Sequence, residues 1–196
     1  MKKGLIIGGI VLLFVFIIYR LFAGSYNNLV EKEEAVTKQW AQVENSYQRR
    51  ADLIPNLVNT VKGYADFEKS TLEAVITARS KATGITVDPT NLTPEKIKQF
   101  QQAQDQLSGA LSRLLVTVEK YPELKANQNF LELQAQLEGT ENRISVERGK
   151  FNEMVEVFNV YLRKFPTNII AGMFGFEKKG YFQAAAGSEK APEVKF

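Results

Sequence analysis

Residues 36–64 read VTKQWAQVENSYQRRADLIPNLVNTVKGY, and the spacing of their apolar side chains indicates the fold. These side chains recur every three or four residues, with one gap of seven. This spacing is typical of helices that pack lengthwise against each other. The stretch therefore predicts a long helix with one apolar stripe in an all-α protein. The stripe consists of Val36, Trp40, Val43, Tyr47, Ile54, Leu57, Val61 and Tyr64.

Pro55 interrupts this pattern because it has no backbone N–H and crowds the carbonyl one turn earlier. It predicts either a kink or a split, in which case Asp52 would cap a new helix. The stripe keeps its phase on both sides of Pro55, which favours a kink. The first helix of the body is predicted to run from Ser25 to about Ala82.

Two further long helices follow. Residues 93–95 (TPE) form a typical helix start, with threonine as N-cap and proline at the first helical position. Pro122 is predicted to end that helix. A third apolar stripe predicts a helix from about Asn127 to Phe165, where Pro166 stops it.

The N-terminal region is apolar enough to span a membrane. Gly4 to Phe22 would form about 28 Å of helix, close to the ~30 Å hydrocarbon core of a bilayer. A cleaved signal peptide is the alternative, but cleavage requires small residues at both positions of an A-x-A pattern. The candidate sites at Ala23 and Gly24 have Leu21 and Phe22 at the first of these positions and are poor. Residues 1–23 are therefore predicted to be an uncleaved anchor. Its lipid-facing candidates are Leu5, Ile6, Ile7, Ile10, Val11, Leu12, Leu13, Phe14, Val15, Phe16, Ile17 and Ile18.

The charges beside the anchor bear on its orientation. Lys2 and Lys3 favour a cytoplasmic N-terminus and a body outside the cytoplasm, whereas Arg20, Lys32 and Lys38 flank the other end. We expect a single-pass protein of the cytoplasmic membrane with an extracytoplasmic body, and the opposite orientation stays open.

The composition excludes several classes of function. The chain has no Cys and no His, which excludes disulfides, zinc or haem sites built on those residues, and nucleophile–histidine triads. No cofactor or metal is predicted. The net charge of +3 comes from the first 23 residues, so the body is neutral and nucleic acid is not an expected partner.

Several stretches resemble the LemA family, in the family's order, and the resemblance covers residues 5–183. It implies a bacterial single-pass membrane protein with a helical-bundle body, and no catalytic residues to carry over. The stretches are 26–30 (YNNLV), 40–45 (WAQVEN), 48–58 (QRRADLIPNLV), 61–65 (VKGYA), 121–127 (YPELKAN) and 137–144 (LEGTENRI).

A dense polar group around Pro55 is the first candidate for interaction or for setting helix register. It either holds a partner at the kink or forms ion pairs between its arginines and its carboxylates that lock the register of the helices. The second interpretation is preferred. The group consists of Gln48, Arg49, Arg50, Asp52 and Asn56 around Pro55, with Glu44 as a candidate ion-pair partner. Trp40, in the apolar stripe, is a separate candidate for interaction or register.

Glu138, Glu141 and Arg148 form a second candidate group, near one face of the third helix. Paired carboxylates can bind a cation or do acid–base chemistry. The di-metal pattern of helical bundles needs a histidine, however, so solvated or paired charges are preferred.

Asn152 and Asn159 lie seven residues apart, each beside a phenylalanine of the apolar stripe. Polar residues at this spacing can set register in packed helices. Both are predicted to form hydrogen bonds across helices.

The sequence predicts an N-terminal transmembrane helix (1–23), an elongated antiparallel bundle of three to four long helices (24–166) and a partly flexible tail (167–196). Residues 169–182 are expected to pack on the bundle, with a docking peptide or a membrane-facing loop as alternatives. Residues 184–193 are expected to be flexible.

The expected function is a non-enzymatic scaffold at the lipid bilayer that joins copies of itself or another envelope membrane protein. One alternative is an adaptor that presents its C-terminal tail to a membrane protein or protease. A carboxylate- or metal-dependent enzyme is the other.

Overall fold

The computed structural model describes residues 2–64 and 68–184, with side chains from residue 6 onward. Every regular element in these ranges is a helix, which confirms the all-α prediction. The helices are α1 (Lys2–Lys62), α2 (Lys69–Gly84), α3 (Pro94–Val118), α4 (Pro122–Lys125), α5 (Gln128–Arg163) and α6 (Thr167–Phe174).

Helix α1 is continuous through Pro55, so the alternative of a split, with Asp52 capping a new helix, does not occur. It also continues without a break across residue 23, where the anchor was predicted to end. Ile54 and Leu57, on either side of Pro55, are buried in the same hydrophobic cluster. This packing holds the helix together across the missing hydrogen bond.

The first helix ends earlier than predicted, at Lys62 rather than near Ala82. A turn follows, with the Tyr64 N–H donating to the Val61 carbonyl at 3.1 Å. The prediction was wrong because the apolar spacing continues into α2, whose residues pack back on α1 and α3. A straight helix would leave this second stripe without a partner. The stripe comprises Leu72, Val75, Ala78 and Ala82.

Helices α1 and α5 run antiparallel and form the main helix pair of the bundle. Along their contacts the residue numbers rise in α1 and fall in α5. Gln39 bonds to Glu147, Arg50 to Glu141, and Tyr64, just after α1, to Asn127 at the start of α5. Helices α2 and α3 form the other pair.

The interior divides into two hydrophobic clusters. The cluster near residue 60 is mainly aliphatic and joins α1, α2 and α3 with the start of α5. The other, nearer the N-terminal apolar segment, is rich in aromatic rings, including Trp40, Phe100, Phe151, Phe158 and Phe182. Offset and edge-on ring pairs of this kind add about 0.5–1.5 kcal/mol each beyond area burial.

The predicted start of α3 is confirmed. Thr93 is the N-cap, and its hydroxyl accepts from the Lys96 N–H at 3.4 Å, with Pro94 at the first helical position. Pro122 was predicted to end this helix. Instead α3 already ends at Val118, and Pro122 begins the short helix α4.

After α6 the chain turns back along the bundle. Gly175 has φ of +76°, a conformation that costs glycine little, and the Phe176 N–H donates to the Ala171 carbonyl at 3.0 Å. Residues 176–184, here named the strap, contain no regular secondary structure. The flexibility predicted for 184–193 concerns residues that, after Ala184, lie outside the described ranges.

Candidate functional site

The N-terminal part of α1 exposes apolar side chains on every face. The predicted lipid-facing residues from Ile6 to Ile18 have exposed fractions of 41–71 %. The side chain of Leu5 lies outside the described residues. An apolar surface of this size is unfavourable in water. Among the described helices, this one is long and apolar enough to cross a membrane, and its apolar window is not buried by the rest of the chain.

Arg50 is the most deeply buried charge in the described part of the chain, with 1 % of its surface exposed. Its guanidinium donates to the Ser108 hydroxyl at 2.6 Å and to the Gln104 side-chain oxygen at 2.7 Å, both in α3. It also forms an ion pair with Glu141 of α5. A single side chain of α1 therefore connects three helices, as planar guanidinium donors are suited to do.

The ion pairs predicted around Pro55 differ from those in the structure. Arg50 pairs with Glu141, not with Asp52 or Glu44, because its side chain points into the bundle. Asp52 is exposed and accepts a hydrogen bond from Gln48 at 2.8 Å. Burial raises the pKa of the Glu44 carboxyl, and the Trp40 side chain acts in the opposite direction.

Arg49 and Asn56 are exposed on α1, whereas the side-chain hydrogen bonds of Arg50 go to Ser108, Glu141 and Gln104. Arg49 lies beside a polar groove of about 530 Å³ between α1 and α5, together with Gly139 and Arg143. The polar group around Pro55 is thus divided between the bundle interior and the solvent.

The backbone carbonyl that Pro55 frees has a partner. Pro55 cannot donate to the Ala51 carbonyl one turn earlier, and Arg79 of α2 donates its Nε–H to that oxygen at 2.8 Å. The position of Pro55 could have indicated an orphan carbonyl at Ala51, but the sequence does not show which residue satisfies it.

Removing Arg79 should therefore lower stability more when Pro55 is present than when it is replaced. We expect Arg79→Ala to lower the free energy of unfolding by about 1–2 kcal/mol, because a buried acceptor loses its donor. In a Pro55→Ala background the loss should be smaller, because the alanine that replaces the proline supplies the helical N–H. Chemical denaturation of the four variants in mild detergent measures this coupling.

Arg113→Ala is the matched control, because this arginine is exposed on α3 and we expect its replacement to change stability little. An equal loss for Arg79→Ala in both backgrounds would contradict a role for Arg79 at the freed carbonyl.

Glu138, Glu141 and Arg148 are not brought together into one site. Glu138 accepts from Gln134 at 3.0 Å, whereas Glu141 pairs with Arg50. Arg148 donates to the Gln183 carbonyl at 2.8 Å and lies 4.8 Å from the centre of the Phe182 ring. Within residues 2–64 and 68–184 there is no group of three carboxylates that could hold a metal ion.

Asn152 and Asn159 bind the strap rather than a neighbouring helix. The Asn159 amide donates to the Lys179 carbonyl at 2.9 Å and accepts from the Lys179 N–H at 3.0 Å. Asn152 makes the same two bonds with Phe182, both at 2.9 Å. The prediction of cross-helix bonds was wrong in its partner, because positions seven residues apart on a helix match positions three residues apart, Lys179 and Phe182, on an extended segment.

Other contacts also hold the strap. Gln101 of α3 binds both backbone groups of Gln183 at 2.9 Å. The Gly180 N–H donates to the Leu92 carbonyl at 2.8 Å, and an added Cβ on Gly180 would lie 2.6 Å from the Pro94 Cα. The strap is therefore part of the bundle.

The strap also carries a buried lysine that the sequence did not single out. Lys179 has 6 % of its surface exposed, and its ammonium pairs with Glu33 of α1 and donates to the Thr90 carbonyl at 3.3 Å. Its nitrogen lies 5.6 Å from the Phe158 ring centre. Two adjacent lysines in an apolar tail predict side chains in solvent, so the sequence does not indicate this ion pair.

Replacing Asn159 with alanine should loosen the strap. Losing two buried hydrogen bonds costs about 1–3 kcal/mol, so the Lys179 amide should exchange its hydrogen about ten to a hundred times faster. Hydrogen exchange of the full chain measures this rate. Asn142→Ala is the control, because Asn142 is exposed on the same helix; equal rates at Lys179 in the two variants would show that Asn159 does not hold the strap.

A hydrogen bond between α1 and α5 stabilises a charged carboxylate. The Gln39 amide donates to the Glu147 carboxylate at 2.7 Å, and this bond is the main reason that the pKa of Glu147 is lowered. Because the pKa of Glu147 is lower in the folded state, its charged carboxylate stabilises the fold at pH values above the ordinary pKa of 4.5. This stabilisation is lost as the pH falls through the lowered pKa.

These features define a helical-bundle protein in which one helix is long and apolar enough to cross a membrane. The model of the LemA family matches residues 39–196, and the chain belongs to the LemA family.

Curated relatives are similar over most of the chain. Protein LemA of Metamycoplasma hominis is 26 % identical over 174 residues, covering 89 % of this chain and 76 % of that protein. Magnetosome protein MamQ 2 of Paramagnetospirillum magneticum is 24 % identical over 177 residues, covering 81 % of this chain. Magnetosome protein MamQ of Magnetospirillum gryphiswaldense is 25 % identical over 174 residues. The matched region is 64 % of the length of these two MamQ proteins.

Proposed function

We propose that this chain is a non-enzymatic, membrane-anchored scaffold that associates with copies of itself. The observation that carries the proposal is the continuity of α1. Its N-terminal apolar part is exposed on all sides, and the same helix continues into the bundle interior, where Leu29 and Trp40 are fully buried. Such a helix transmits the position of the anchor directly to the folded body, which suits a structural role.

Membership of the LemA family and the magnetosome relatives support a membrane-associated, non-catalytic role. We propose the cytoplasmic membrane of a bacterium as its location, with the body outside the cytoplasm. The support for this orientation is the pair Lys2 and Lys3 on the N-terminal side of the apolar segment. Another envelope membrane protein as partner is a further possibility consistent with the same anchor.

The outward face of α5 is the surface that we propose for self-association. Val146, Val157 and Val160 are 43–54 % exposed there, although the helix buries its opposite face in the bundle. Gly149 lies among them, and an added Cβ would meet nothing within 4 Å. Glycine in the middle of a helix costs about 1 kcal/mol, and it permits close approach of a second helix.

Cysteine cross-linking in membranes tests this proposal, because the chain has no cysteine of its own. Two copies anchored in one membrane have parallel α5 helices, so Val146→Cys and Val160→Cys should each form a disulfide-linked dimer on mild oxidation. Val116→Cys is the control, since Val116 is an exposed valine of α3 (70 %). Dimers no more abundant for the α5 variants than for Val116→Cys would contradict self-association through this face.

The strap limits the part of the tail that an adaptor could present to a partner. Ile170 and Phe182 are buried in the aromatic cluster, so deleting residues 167–196 would damage the bundle as well as the tail. An adaptor would present residues after Ala184, which lie outside the described ranges. Deletion of 185–196 is therefore the appropriate test: lost capture of a partner by a folded bundle would support the adaptor.

A further inference from the structure

Helix α6 carries an apolar surface that the bundle does not cover. Ile170 and Ala171 attach the helix to the aromatic cluster, with 0 % and 2 % of their surfaces exposed. On the other side, Ile169 is 48 % exposed and Met173 is 67 % exposed. Phe165, just before the helix, is 81 % exposed. Large apolar side chains grouped in this way on a surface indicate contact with an apolar partner.

The position of α6 along α1 identifies that partner. The rings of Phe174 and Phe176 pack against Tyr26, with centroids 4.8 Å and 5.8 Å away. Tyr26 is one helical turn, about 6 Å, beyond Phe22, where the exposed apolar segment ends. The interfacial layer of a bilayer is about 5–7 Å thick on each side. Helix α6 therefore lies at the level of that layer if the segment spans the membrane.

Basic residues flank helix α6 in the sequence. Arg163 and Lys164 precede α6, and Lys178 follows it, and all three are exposed. In the described part of the chain, none of these three forms an ion pair. Apolar side chains flanked by free cations match the acyl chains and phosphate groups of a phospholipid surface.

We propose that α6, with Phe165, is an interfacial membrane-binding element that inserts into the same leaflet from which α1 emerges. Phe165, Ile169 and Met173 contact the upper acyl chains, and the neighbouring lysines and arginine contact lipid phosphates. The inference rests on the proposed membrane anchor. Two points of attachment, α1 and α6, then fix the tilt of the bundle on the membrane, which a single spanning helix leaves free.

The test places one fluorescent label at a time on the cysteine-free chain. The full chain is reconstituted in vesicles of phosphatidylcholine with a minor fraction of phosphatidylglycerol. An environment-sensitive dye is attached at Met173→Cys, at Phe14→Cys in the apolar segment, and at Val116→Cys as an exposed control in α3 (70 % exposed), away from the proposed self-association face. Lipids that carry a spin label near the head group or deep in the acyl chain quench the dye from the bilayer, and iodide quenches it from water.

The inference predicts that the Met173 label loses most of its emission to the shallow spin label and is protected from iodide. The Phe14 label should respond to the deep spin label, and the Val116 label to iodide. A Met173 label as open to iodide as the Val116 label, with the Phe14 label still in lipid, would overturn the interfacial inference alone. A Met173 label shielded from both quenchers would overturn it in favour of a second copy covering α6.

A Phe14 label that responds to iodide and not to either spin-labelled lipid would overturn the membrane anchor itself. The failure of the anchor and the failure of the α6 inference are therefore distinguishable in one set of samples. Since Met173 is largely exposed, the labelled variant keeps the bundle packing that the other contacts of α6 provide.

Discussion

Replacing Arg50 with alanine is expected to lower the free energy of unfolding of the bundle by about 2–4 kcal/mol. The substitution leaves a cavity where α1, α3 and α5 meet, and it removes the donors to Ser108 and Gln104. The side chain of Glu141 is 43 % exposed, so water can solvate its carboxylate once Arg50 is gone. The carboxylate therefore adds little to the loss of stability. Chemical denaturation in mild detergent, followed by circular dichroism, measures the change.

Arg49 provides a control one residue away. It is exposed, so Arg49→Ala should alter stability by less than about 0.5 kcal/mol. Arg50→Met, which keeps much of the volume without the charge, should lose less than Arg50→Ala. If both arginine-to-alanine variants were equally stable, Arg50 would not be the connection between the three helices.

Trp40→Ala is expected to have the largest effect of any single substitution considered for this chain, about 3–5 kcal/mol. The indole is fully buried and lies 5.1 Å from the Phe100 ring centre, 5.5 Å from that of Phe151 and 6.0 Å from that of Phe182. Alanine would remove the ring on which α3, α5 and the strap converge. Thermal or chemical unfolding of the full chain measures this loss.

The same variant should also loosen the strap, because Phe182 stacks on the indole at an interplanar angle of 12°. Faster hydrogen exchange at Phe182 is the expected sign. Trp40→Phe should retain more than half of the lost stability, and Val116→Ala, at an exposed valine, should change little. Unchanged stability of Trp40→Ala would mean that the aromatic cluster is not the core of the bundle.

The sequence predicts those features that depend on local chemistry. An uninterrupted apolar run predicts a helix suited to a membrane, and the spacing from Val36 onward predicts the face that α1 buries. Thr93 and Pro94 predict the start of α3 because capping involves residues only three positions apart. Each of these inferences needs no knowledge of where a distant segment lies.

The partners of the polar side chains depend on distant segments, and periodicity does not identify them. Arg50 meets residues more than fifty positions away, and the freed carbonyl of Ala51 is satisfied by Arg79. Asn159 binds the backbone of residue 179, and residues other than lysine would offer the same carbonyl there. The identity of Lys179 therefore does not reveal the contact. A sequence pattern indicates that a face is buried or polar, but several folded arrangements satisfy the same pattern.

The turn after Lys62 shows the same limitation. The apolar stripe continues in phase into α2, so the spacing alone favours one long helix. The chain reverses because the α2 stripe gains burial against α3, which begins more than thirty positions after α1 ends. The energy that decides the turn thus comes from tertiary packing, which exceeds the small local preferences for helix.

The N-terminal part of α1 is the proposed membrane anchor of the protein. Extraction of isolated cell membranes with alkaline carbonate tests this anchor, because the treatment removes peripheral proteins and leaves spanning helices in place. The full chain should remain in the membrane pellet, and a variant that lacks residues 2–23 should be released with its bundle still helical. Release of the full chain to the same extent as the shortened variant would contradict the anchor and the proposed function with it.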